Sequence, residues 1–129
     1  MEFKNEIFTK VLSVFDYRLL FEEIIAIIKQ NKILSVDLLF GFAWGNEYKG
    51  WTPFEVNIDS IQEEISIAEN QSDGQFGSDD FHILCSSIPL EILFCHERDI
   101  HFKYNESNEV LTDIVNLCRR KDLLHPNSS

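Results

Sequence analysis

The chain has 129 residues, 44 % of them hydrophobic, with eleven phenylalanines and a formal net charge of −11. This is the size of one domain with a real core, too aromatic for a disordered acidic tail. The charge argues against a nucleic-acid or anionic-membrane binder, because a negative field repels both.

The acids are segregated. No lysine or arginine occurs between Lys49 and Arg98, where ten acids do. Residues 36–117 hold 16 acids against 3 bases, a net of −13. Residues 1–35 are balanced, and 118–129 are basic through Arg119, Arg120 and Lys121. The N-terminus has no basic stretch followed by an apolar run, so no signal peptide is expected. No segment has the ~20 apolar residues of a membrane span. Cys85, Cys95 and Cys118 sit in apolar contexts without CxxC spacing. Free cysteines in a reducing, cytoplasmic setting are the expectation.

In chain order, Phe3, Ile7, Phe8, Val11 and Leu12 predict a short helix, or an early part of the next one. Residues 16–31 predict an amphipathic helix with Leu20, Ile24, Ile27 and Ile28 on one face, Asp16 as N-cap and Asn31-Lys32 as the stop. Residues 33–44 predict a strand with Val36, Leu38, Phe40, Phe42 and Trp44 on one parity, running into a glycine-punctuated loop at 45–53. Trp44 reads as core. Tyr48 and Trp51, beside breakers, read as surface.

Ser60-Ile61-Gln62-Glu63 fits a capping box, opening a helix over about 60–70 with Ile61, Ile65 and Ala68 inward. Residues 70–80 predict a polar loop. Three strands follow at Phe81–Ser86, Leu90–His96 and Ile100–Tyr104. A three-residue turn at 97–99 would pair His96 with Ile100, Phe94 with Phe102 and Ile92 with Tyr104, giving one apolar face. A final helix over about 107–122 carries Val110, Leu111, Ile114, Val115, Leu117 and Cys118, with its basic last turn complementing the helix dipole. The expected fold is a single α+β domain over residues 1–129, a small antiparallel β-sheet with helices packed on one face.

The densest polar cluster is Cys95-His96-Glu97-Arg98-Asp99-Ile100-His101. In the expected register His96 and His101 face opposite sides, so the two do not chelate one ion together. A two-residue turn would instead place them opposite each other and require a third ligand from elsewhere. The metal-nuclease pattern Asp…(Asp/Glu)-x-Lys fails, because His101 precedes Lys103 where a carboxylate belongs. No phosphate-binding glycine loop, GxSxG elbow or HExxH helix is present. No cofactor, metal or catalytic residue is therefore assigned.

The features left are those of a binding surface. They are the acids Asp73, Asp79, Asp80, Glu97 and Asp99, with Tyr48, Trp51 and Phe76 as aromatic anchors.

The strand–turn–strand Phe94-Cys-His-Glu-Arg-Asp-Ile-His101-Phe102, the acidic lead-in Gly77-Ser-Asp-Asp-Phe81 and the closing helix resemble the small cytoplasmic immunity proteins that protect bacteria from contact-dependent or polymorphic toxins. The resemblance spans roughly residues 76–120. It implies a non-catalytic inhibitor bound stoichiometrically to a cognate toxin C-terminal domain, often a basic nuclease, with acids standing in for phosphates. Two other readings share the composition: an acidic adaptor or regulator binding another basic protein, and a metal-dependent hydrolase built on His96, Glu97, Asp99 and His101.

Overall fold

The computed structural model describes residues 3–41, 44 and 52–128. Among these, six strands and three α-helices follow one another as β1 (Asn5–Phe8), α1 (Val14–Gln30), β2 (Ser35–Phe40), β3 (Phe54–Asn57), α2 (Ile61–Gln71), β4 (Phe81–Cys85), β5 (Leu90–Phe94), β6 (Ile100–Tyr104) and α3 (Glu109–Arg120). The strands form one antiparallel sheet in the order β1-β6-β5-β4-β2-β3. This is the α+β architecture expected from the sequence.

Alternation decides which face is covered. Ile7, Phe102, Ile92, Ile83 and Leu38 lie on neighbouring strands in register and are all buried. Their strand neighbours His101, Leu93, His82 and Leu39 form a half-buried row on the other face. Strands with one buried and one half-exposed side are what helices on a single face produce. The helices contribute Leu20, Phe21, Ile24 and Ile28 from α1, Ile61, Ile65 and Ala68 from α2, and a broad stripe from Val110 to Cys118 in α3.

The first segment departs from the expected helix. Ile7 and Phe8 have helix-like spacing with Leu12, but the backbone of residues 5–8 completes the ladder of β6, pairing Ile7 with Phe102 and Phe8 with His101. Without β1 that edge of β6 would present unpaired amides and carbonyls. Val11, which such a helix would have turned inward with Leu12, is 65 % exposed.

Helix α1 starts earlier than expected. Ser13, not Asp16, is its N-cap, and the Ser13 hydroxyl accepts from the Asp16 amide at 3.0 Å. Asp16 sits in the first turn, where its charge favours the helix dipole. The C-terminal boundary falls at Asn31 as expected, its side-chain amide donating to the Ile27 carbonyl.

The capping box at Ser60 does not form. Ser60 makes no side-chain cap bond, because a 3-10 turn at Ile58–Ser60 precedes α2 and takes Asn57 as its cap.

The β5–β6 register is also corrected. Leu90 pairs with Tyr104, Ile92 with Phe102 and Phe94 with Ile100, so the connection spans residues 95–99. The displacement is two residues, and an even slip preserves faces, so the apolar face survives intact. The longer loop is closed by Arg98, which adopts a left-handed backbone at φ 65° and donates its amide to the Cys95 carbonyl. Arg98 is fastened at both its carbonyl, which accepts from the Leu12 amide at 2.8 Å, and its Nε, which donates to the Leu12 carbonyl at 3.2 Å.

Candidate functional site

The loop 72–80 and the hairpin tip 95–99 converge beside the N-terminal half of α1, where Tyr17 meets both Phe76 and the Cys95 carbonyl. Several short-range bonds shape the loop. The Ser72 hydroxyl donates to the Ala68 carbonyl at 2.6 Å, and Asp79 accepts from the Gln75 amide at 2.8 Å. Gly77 takes φ 89°, a conformation that glycine adopts without strain. Phe76 turns inward against Tyr17, Phe21 and Phe81, with ring centroids 4.8–5.5 Å away and the Arg18 guanidinium 4.9 Å above its ring. At the far end the Asp80 carbonyl accepts from the Trp44 indole N–H at 2.9 Å, and Trp44 is fully buried as the sequence indicated.

Asp80 then reaches across to the tip. Its Oδ1 accepts from the His96 backbone N–H at 2.6 Å and lies 2.9 Å from His96 Nδ1. One carboxylate oxygen thus fixes both the backbone and the ring of a residue 16 positions away. The hydrogen bond to Asp80 raises the His96 pKa above its ordinary value, and the Asp80 charge adds to the effect. A raised folded-state pKa means that this contact stabilises the fold fully below the unfolded value of about 6.5 and fades as pH rises through the folded value. Asp80→Asn should lower the His96 titration toward its ordinary value, followed by NMR of the imidazole carbon-bound protons. An unchanged titration would remove Asp80 as the cause.

Cys95 sits between two polar groups. Its carbonyl accepts from the buried Tyr17 hydroxyl at 3.3 Å, and its Sγ is 3.7 Å from His96 Nδ1. Burial pushes the thiol up to about 11; the Glu97 backbone opposes that shift, while Asp99 and Asp80 reinforce it. An activated nucleophile needs the reverse, a depressed thiol pKa, and His96 Nδ1 is already committed to Asp80. Cysteine–histidine nucleophilic chemistry therefore finds no support here.

On the far side of Cys95, His101 is held between two carboxylates. Nδ1 lies 2.7 Å from Glu6 Oε2, and Nε2 lies 2.8 Å from Asp99 Oδ2. Asp99 Oδ1 is buried without a hydrogen-bond partner. Among the described residues, two donor sets have ligand atoms mutually within 4.8 Å: Asp80, Cys95 and His96, and Cys95, Asp99 and His101. His96 and His101 thus belong to different groups, joined through Cys95.

The expected contact residues divide by position. Tyr48 and Trp51 lie outside the described residues. Asp73 is exposed, and Glu97 is 67 % exposed at its side chain. Asp79 is half-buried and caps its own loop, while Asp80 holds the tip with a side chain 38 % exposed. Phe76 is half-buried in the aromatic cluster. Asp99 is 17 % exposed, and its carboxylate is occupied by His101. Among the described residues, the lysine ion pairs go to Asp122, Asp59, Glu91 and Glu23, and none reaches Asp73, Asp79, Asp80 or Glu97.

Sequence reasoning placed Cys95 in the polar cluster without giving it a role, and it did not single out Glu6. Glu6 reaches His101 through the β1–β6 pairing, which the helix-like spacing of the first segment concealed. No protein-family model, curated protein or solved structure matches the chain.

Proposed function

We propose that this protein is a cytoplasmic, non-catalytic inhibitor that binds and neutralises a basic bacterial toxin domain, of nuclease type, in a one-to-one complex. The observation that supports this most is the Asp80–His96 clasp, which joins the acidic loop 72–80 to the acidic tip 95–99 as one surface. Asp73 and Glu97 stand exposed on it without lysine or arginine partners among the described residues. Glu97 lies 3.7 Å from His96 Nε2, and carboxylates free of lysine and arginine on a fixed backbone attract a cationic cleft over a Debye length of ~8–10 Å. The membrane has no role in this reading: among the described residues no helix is long and apolar enough to cross one.

The geometry selects the variant that tests the reading. Asp79 and Asp80 support the loop and tip themselves, so reversing them would mix structural and electrostatic effects. Asp73→Lys/Glu97→Lys is the cleaner change. It should slow association with the toxin domain by about tenfold or more and flatten its salt dependence, with the thermal midpoint unchanged. Unaltered association kinetics would move the interface away from this surface.

A further inference from the structure

We propose that Cys95, Asp99 and His101 form a site for one zinc ion, oriented from behind by Glu6. The donor set is mixed: a thiolate sulfur, a carboxylate oxygen and an imidazole nitrogen, all within 4.8 Å of one another. Sulfur and nitrogen donors select zinc over magnesium or calcium, which take oxygen. Metal–ligand distances of ~2.0–2.3 Å place tetrahedral donors roughly 3.3–3.8 Å apart. His101 Nε2, which lies 2.8 Å from Asp99 Oδ2, would turn to the metal, and Asp99 would reach it through its unpartnered Oδ1.

Two features favour this set over Asp80, Cys95 and His96. Asp99 Oδ1 is buried with no hydrogen-bond partner, a lone pair facing a cost that coordination removes. By contrast, Asp80 Oδ1 already contacts both the backbone and the ring of His96. Glu6 completes the second feature. It lies 2.7 Å from His101 Nδ1, the carboxylate–histidine arrangement that fixes the tautomer and leaves Nε2 for the metal.

On binding, the Cys95 thiol gives up its proton to solvent, His101 coordinates through Nε2 with its proton kept on Nδ1 toward Glu6, and three metal bonds form. The His101 and Asp99 side chains, 21 % and 17 % exposed, leave a path for the ion and room for water as fourth ligand. The proposal is independent of the toxin-binding reading, since metal uptake is read on the protein alone.

The test is metal titration of the full chain after chelator dialysis, using zinc by elemental analysis and cobalt(II) as the spectroscopic probe. The expected result is one metal per chain, a cobalt–thiolate charge-transfer band, and a thermal midpoint that rises with zinc. Cys95→Ser and His101→Ala should each abolish the band, His96→Ala should retain it, and Glu6→Gln should weaken zinc binding about 10–100-fold. Glu6 is 41 % exposed at its side chain, so that variant reads the site even if Cys95→Ser fails to fold. Absence of stoichiometric uptake overturns the proposal. So does a band that survives Cys95→Ser, or one lost in His96→Ala and kept in His101→Ala.

Discussion

Phe94→Ala is expected to destabilise the protein by about 3–5 kcal/mol, the range for a buried phenylalanine truncation. Phe94 is fully buried and stacks on Phe81 at 4.7 Å with the rings 6° from parallel. Phe21 meets it edge-on at 5.2 Å, and Tyr17 does so at 6.1 Å. Removing the ring empties the point where α1, β4 and β5 meet, and no neighbour is free to fill the space without leaving its own contacts. A domain of this size has about 5–15 kcal/mol in total, so the variant should sit near its unfolding threshold. Urea denaturation should show a lower midpoint with an unchanged slope. A loss below about 1 kcal/mol would mean that the cluster repacks, contrary to the close packing described here. Because Cys95 follows directly, the hairpin tip should loosen with it.

Gly74→Ala is expected to cost about 3 kcal/mol, the upper part of the overpacking range. A methyl group at Gly74 would overlap the Trp44 ring. That ring has little room to retreat: it is fully buried, its N–H is bonded to the Asp80 carbonyl, and Phe40 meets it edge-on at 4.7 Å. Gly77→Ala is the informative control, since nothing lies within 4 Å of a methyl group there and only the φ of 89° resists. Thermal melts should therefore rank Gly74→Ala well below Gly77→Ala. The reverse order would show that Trp44 is not anchored as described. Displacing Trp44 would also pull on Asp80, and so on the clasp to His96.

How much of this was legible follows from what each element depends on. Strands β4, β5 and β6 alternate cleanly, so their faces could be read even though the β5–β6 register was two residues off. Loop length was the hidden variable, and it turned on the left-handed backbone of Arg98, a residue with no special preference for it. Strand β1 was misread because Ile7, Val11 and Leu12 have helix spacing. What overrode that spacing was the open edge of β6, a tertiary fact. Trp44 is in the core as expected, but not through strand parity: β2 ends at Phe40, short of the expected strand over 33–44, and Trp44 is held by its N–H bond to the Asp80 carbonyl and by the Phe40 ring.

The acidic field at the site was plain from composition. Its assembly was not: Asp80 and His96 are 16 residues apart, and Glu6 and His101 are 95 apart. Sequence proximity drew attention to His96 and His101 as a pair. The sheet separates them and gives each its own carboxylate, through Asp80 in one case and Glu6 with Asp99 in the other.

The most direct test of the proposed function is isothermal titration of the purified chain against any toxin-like C-terminal domain encoded beside its gene. The account predicts a one-to-one complex of about nanomolar affinity, near −12 kcal/mol, that abolishes the domain's activity. Absence of binding to a folded, active toxin domain would contradict it.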